Sequence, residues 1–213
     1  MKKLTKAIVV AGVMTAGLAG IPAAQAEVSA SASIASEYLW RGTTLGNGDA
    51  AFSGSLDYSH ESGLYAGTWI SSGDSGLGTE YDLYAGYALE AGDLGVDLGY
   101  ATYIYPGADE DGIDDVAEFY LGLSYKAGSL YAYKSSDSDV DGMYLVASAD
   151  VSSFSVAVGT WLDTGGDYTH LDVTYAFNDN VAFTLSQIVD EEIEDSMDMS
   201  PKLVVSYSLP IEM

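Results

Sequence analysis

The chain has no cysteine, one arginine, two histidines and four prolines in 213 residues. Each shortage excludes something. Without cysteine there is no disulfide scaffold and no N-terminal cysteine for a lipoprotein anchor. Seven basic residues against 32 acids give no electrostatic footprint for nucleic acid, and no nucleic-acid partner is expected. No Gly-rich phosphate loop is present, and the many glycines beyond residue 26 fall in strands and turns, where they allow bends and close packing. An acidic chain poor in aromatics would be disordered. Here aromatics make up 12% and hydrophobic residues 48%, so the chain folds and its acids must be segregated.

The N-terminus supplies the compartment. Lys2, Lys3 and Lys6 precede an apolar run from Ala7 to about Ala19, and Ala24-x-Ala26 follows. A positive n-region, a short apolar core and an A-x-A site make residues 1–26 a secretory signal peptide, too short in its apolar run to be a spanning helix. The expected mature domain is 27–213. It keeps four basic residues, Arg41, Lys126, Lys134 and Lys202, against all 32 acids, a charge of −28.

From Val28 onward the pattern is alternation, repeated. Val28, Ala30, Ala32, Ile34, Tyr38 and Trp40 share one face of a first strand, with Ser29, Ser31, Ser33, Glu37 and Arg41 on the other. Later runs repeat it, as in Leu171, Val173 and Tyr175 against His170, Asp172 and Thr174. About twelve such strands can be read. Their connections alternate between tight turns, such as Glu90–Asp93 and Lys126–Ser129, and longer acidic loops. The long set is Gly42–Asp49, Ser71–Thr79, Pro106–Asp115, Ser135–Gly142, Leu162–Asp167 and Asp190–Ser200. An even strand number, with short turns at one rim and long loops at the other, predicts an all-β transmembrane antiparallel barrel of the bacterial outer membrane. Short turns would be periplasmic and acidic loops extracellular, with outer-membrane lipid and lipopolysaccharide as surroundings. Two aromatic girdles are expected: Tyr38, Trp40, Tyr81 and Phe119 near the long loops, and Tyr58, Tyr125, Phe154, Phe177 and Tyr207 near the short turns. The last strand keeps its apolar frame to Met213, where such barrels usually end on an aromatic.

Three blocks carry a family resemblance: SEYLWRG (36–42), AAFSGSLDY (50–58) and GLYAGTW (63–69), with GY…YxYPG (99–107) after them. They resemble the TorF family of secreted, porin-like proteobacterial proteins, also known for a Gly-Cys-Trp-type motif. At that motif this chain reads Gly67-Thr68-Trp69. The resemblance implies an outer-membrane barrel. It brings no established substrate, no cofactor and no catalytic residue.

If the apolar face meets lipid, the polar face is the lumen. The candidate pore-lining residues are Glu37, Arg41, Asp57 and Asp82, then Asp97, Glu118, His170 and Asp172. Small neighbours would leave a narrow wet passage, and the carboxylates would favour small cations over anionic solutes. The competing reading is a plugged, non-conducting barrel whose acids are paired or solvated. The acidity also suits a saline habitat. Arg41 is expected at the lumen mouth, held by Glu37 or by a cross-strand carboxylate. Asp137-x-Asp139-x-Asp141-Gly142 has the first half of a calcium loop, but Ser148 stands where a bidentate Glu belongs, and a solvated hairpin loop is the plainer account. The other acidic runs, 109–115 and 190–195, are weaker cation attractors. His60 falls in a short turn. His170 beside Asp172 could orient a base in a barrel hydrolase, yet no nucleophile is placed to complete it. The reading is therefore a passive, cation-preferring pore and not an enzyme.

Overall fold

The computed structural model describes residues 26–107, 112–113 and 115–211. Residues 1–25 of the expected signal peptide, the acidic residues Asp109–Asp111 and Asp114, and Met213 lie outside the described residues.

Fourteen strands follow one another: β1 (Glu27–Ala35), β2 (Leu39–Trp40), β3 (Thr43–Thr44), β4 (Ala51–Ser59), β5 (Leu64–Asp74), β6 (Gly78–Ala91) and β7 (Leu94–Ile104), then β8 (Ala117–Tyr125), β9 (Gly128–Ser135), β10 (Met143–Val151), β11 (Phe154–Leu162), β12 (Tyr168–Ala176), β13 (Val181–Glu191) and β14 (Lys202–Ser208). Twelve of them, all but β2 and β3, form one closed antiparallel barrel. β1 closes it, pairing with β4 along its full length and with β14 through Ser33↔Ser208, Ile34↔Tyr207 and Ala35↔Ser206. Closure leaves no sheet edge, which is the condition for a sheet to stand in a bilayer.

Strict alternation decides the two surfaces. Leu98, Phe119, Leu121, Phe154, Leu185 and Leu203 point outward with about half of their surface exposed. Asp97, Glu118, Tyr120, Thr184 and Ser186, each next to one of these, are buried in the interior, as is Asp172 beside the outward Leu171. An apolar exterior around a polar interior is the inverse of a soluble protein and fits a lipid-facing barrel wall. Tyr81 and Phe119 toward the long-loop end, and Tyr58, Tyr125, Phe154, Phe177 and Tyr207 toward the short-turn end, face outward as expected of girdles. Aromatic pairs tie neighbouring strands on this face, as in Tyr100–Phe119 and Phe154–Tyr175, each at 5.0 Å between centroids.

Five connections at one rim are turns of two to four residues, and Gly63, Gly92, Lys126 and Ser152 take positive φ there. At the other rim the expected loop Ser71–Thr79 is mostly strand: β5 and β6 run on to a tight turn at residues 75–77. The register shift between Ser71 and Asp74 absorbs the change.

The largest departure from expectation is at the first connection. β1 ends at Ala35, not near Arg41. Ser36 makes the break: its amide donates to Val205 O (2.8 Å), and its hydroxyl accepts from Val205 N (3.0 Å). The chain then turns inward. Leu39–Trp40 and Thr43–Thr44 pair as a two-stranded hairpin inside the barrel, with Arg41 and Gly42 as its loop at φ 45° and 84°. Positive φ at both loop residues is the two-residue turn whose twist suits a hairpin. Tyr38 and Trp40 therefore do not face lipid. Even-numbered positions after Ile34 keep the phase of a continuing strand, but the chain carrying them has left the wall.

Candidate functional site

The inner hairpin delivers Arg41 to the long-loop end of the lumen wall formed by β8 to β11. Its guanidinium makes a two-pronged contact with Glu118, Nη1 to Oε1 at 2.9 Å and Nη2 to Oε2 at 2.6 Å. Both residues are buried, at 7% and 9% exposure. The rings of Trp40, Tyr133, Tyr144 and Trp161 surround the guanidinium carbon at 4.4–4.9 Å from their centroids. This planar, weakly hydrated cation suits such a box, since it stacks on rings while its edge meets a carboxylate. Tyr103 donates a further hydrogen bond to Glu118 (2.8 Å), and Tyr168 donates one to the Arg41 carbonyl (3.1 Å). A Cβ on Gly42 would lie 2.5 Å from the His170 Cβ, so glycine lets the hairpin tip close onto β12.

Glu37 is not the partner of Arg41. It accepts the Gly48 amide at 3.2 Å and holds the connection after the hairpin. The cross-strand carboxylate Glu118 takes the arginine because the inward fold carries Arg41 across the lumen.

The remaining sequence candidates divide into four groups. Asp57 faces the lumen, accepts from Ser55 Oγ (2.7 Å) and is bonded to Tyr84. Asp97 accepts from Tyr65 (2.7 Å), and Tyr65 also bonds Tyr120 (2.6 Å). Asp82 lies fully buried on β6, two residues from Glu80 on the same inward face, and Glu80 accepts from Tyr38 (2.6 Å) and Tyr105 (3.1 Å). His170 and Asp172 come together at 3.1 Å, and the other His170 nitrogen meets Tyr144 at 2.7 Å. At 1% exposure, with the buried Tyr144 phenol on its Nε2, His170 is closed off from a substrate in this arrangement. His60 sits in an exposed turn, bonded to Ser62.

Asp137, Asp139 and Asp141 do not converge on a metal. Asp137 accepts the Asp139 amide (2.8 Å), closing a local turn, and Lys134 donates to the Val140 carbonyl (2.7 Å). No cluster of three metal-ligating side chains occurs among the described residues. On the long-loop rim Asp167 accepts from the Thr164 hydroxyl and amide and from the Asp163 amide, and these bonds hold its carboxyl below the ordinary range.

Sequence reasoning missed the lumenal tyrosines. Tyr65, Tyr84, Tyr120 and Tyr131 each lie across a strand from a glycine, at Gly86, Gly67, Gly99 and Gly122 in turn. A Cβ at any of these glycines would run into the facing ring. The glycines are thus seats that let rings lie flat on the wall. Two walls result. Tyrosines and tryptophans pack along β5 to β11. From β12 round to β4 the interior carries small hydroxyl side chains, paired as in Ser31–Ser55 (2.8 Å), Ser33–Ser53 (2.7 Å) and Thr174–Thr184 (2.9 Å).

Residues 19–198 match the model of a bacterial family described as proteins of unknown function, Gcw_chp. The chain belongs to the Gcw_chp family. No curated protein matches it. Among solved structures, the KdgM porin superposes with a TM-score of 0.51 at 8% identity, over 87% of this chain and all of that one. The KdgM porin in complex with disordered oligogalacturonate gives the same values. Acinetobacter baumannii OccAB4 aligns at a TM-score of 0.40 and 12% identity, over 76% of this chain and 53% of that one. At such identities the KdgM likeness carries the fold of this Gcw_chp chain, a closed barrel, and not a ligand.

Proposed function

We propose that this Gcw_chp protein is an outer-membrane porin of the TorF kind, exported after loss of residues 1–26, that lets small solutes diffuse passively with a preference for cations. The observation that carries the reading is the charge of the interior. Asp57, Glu80, Asp82, Asp97, Glu118 and Asp172 face inward, and the one arginine among them is neutralised by Glu118. Lysines give no relief: Lys134 is exposed, and Lys202 pairs with Asp198. A low-dielectric wall focuses this negative potential along the axis, which raises local cation concentration and repels anions. The hydroxyl-lined wall from β12 to β4 is the side along which a hydrated solute would pass.

Cation preference also separates this chain from its structural neighbour. The oligogalacturonate found in complex with the KdgM porin is a polyanion, and the same polymer would meet an excess of carboxylates here. One observation favours a second reading. The inner hairpin and the packed rings around Arg41 occupy part of the lumen, so a non-conducting barrel that presents its acidic loops at the surface is the alternative. Reconstitution into planar bilayers decides between them: cation-selective steps support the pore, and a silent, correctly folded barrel supports the alternative.

A further inference from the structure

Glu80 and Asp82 stand two residues apart on β6 and both project into the lumen. They are the deepest carboxylates among the described residues, at 2% and 1% exposure. Glu80 accepts from two phenols, Tyr38 on the approach to the inner hairpin and Tyr105 after β7. Ser71 is the cross-strand neighbour of Glu80, and Trp69 is that of Asp82. No basic side chain balances Asp82 among the described residues: Arg41 is committed to Glu118, and the lysines lie toward the rims. Two buried carboxylates this close share a proton or hold a cation. A shared proton would serve one contact between them. It leaves a second fact unaccounted for: Asp82 Oδ1 has no hydrogen-bond partner at all. A buried acceptor without a donor costs its full desolvation, so such atoms mark a ligand or an ordered water.

We propose that Glu80 and Asp82 hold one calcium ion inside the lumen, beneath the inner hairpin. The donor set consists of hard oxygens: two carboxylates that neutralise a divalent charge, with phenol and serine oxygens around them. Calcium accepts six to eight oxygens in irregular geometry, whereas magnesium keeps its water and demands an octahedron. A dry site of crowded side-chain oxygens therefore selects calcium. Because Tyr38 bonds Glu80, filling the site would also fix the base of the hairpin that carries Arg41. The site is separate from the rim acids and does not require that the barrel conduct.

Terbium, a luminescent stand-in for calcium, tests the proposal on the folded barrel in detergent. Trp69, cross-strand from Asp82, and the phenols of Tyr38 and Tyr105 on Glu80 are the antennae beside the site. The expected result is sensitised emission that calcium competes away, that magnesium competes away less well, that is lost in Asp82→Asn and that is weakened in Trp69→Phe. Asp137→Asn, on the surface loop, keeps it. Calcium should also raise the thermal midpoint of the wild-type barrel over that in chelator, and Asp82→Asn should lose this response. If Asp82→Asn does not fold, Glu80→Gln and the wild-type comparison of calcium with chelator give the same decision. Equal emission in wild type and Asp82→Asn, or identical midpoints with calcium and chelator, overturns the site and assigns Oδ1 to water. Conductance measured on the same preparation tests the pore reading separately.

Discussion

Arg41→Ala is the sharpest perturbation of this lumen. The substitution removes a two-pronged ion pair and a cation enclosed by four rings, and it leaves Glu118 at 9% exposure with Tyr103 as its remaining donor. Removing one partner of a buried pair costs roughly 3–5 kcal/mol, because the other charge stays buried and uncompensated. Desolvated cation–π contacts add up to about 2 kcal/mol, shared over the box and not additive. The barrel ladder is untouched, so the cost falls on docking of the hairpin and not on the strands. At about 1.4 kcal/mol per factor of ten, the loss lowers the docked-to-released ratio by at least two powers of ten. The assay follows the segment itself: limited proteolysis within residues 36–50 by a protease of broad specificity, together with tryptophan emission from Trp40 and Trp161. Arg41→Ala should expose the segment to cleavage and shift emission to the red while the barrel stays folded. Arg41→Lys should fall between, since an ammonium keeps charge but lacks the fork. Unchanged protection and emission in Arg41→Ala would refute the view that this pair holds the hairpin in place.

Other predictions follow from the two faces and the rim. Gly99→Ala and Gly122→Ala push a Cβ into the Tyr120 and Tyr131 rings and should cost about 1–3 kcal/mol in urea unfolding from vesicles, with Tyr120→Ala relieving the first. Leu121→Arg places a charge on the outward face of β8 and should cost roughly 2–4 kcal/mol if that position lies near the bilayer centre, read as loss of folding into vesicles. Asp167 has its carboxyl held below the ordinary range by hydrogen bonds from Thr164 and Asp163. Its contribution to loop order is therefore complete above the ordinary carboxylate pKa and fades as pH falls through the lowered one. An NMR titration should place the Asp167 carboxyl below the ordinary carboxylate range, and Thr164→Ala should move it back toward that range.

The barrel was legible because lipid and water demand opposite partners at alternate residues, and runs such as Leu171 to Tyr175 obey that without exception. The turns were legible through their glycines and their length. The inner hairpin was not, since Tyr38 and Trp40 keep the phase of β1 and look like a girdle. The readable signal was Arg41-Gly42 between Leu-Trp and Thr-Thr, a two-residue hairpin loop with glycine second. The lumenal tyrosines were passed over because aromatics were sought on the lipid face, although their facing glycines, Gly99 for Tyr120 and Gly122 for Tyr131, were in the sequence. The partner of Arg41 could not be read at all: Glu118 lies 77 residues away and meets it only because the chain folds inward at Ser36.

Ion selectivity tests the account most directly. With purified protein in a planar bilayer and a gradient of potassium chloride, the reversal potential should take the sign of a cation-selective pore, and Arg41→Ala should raise both conductance and cation preference. A reversal potential of the opposite sign, or no conductance from a folded barrel in either form, would contradict it.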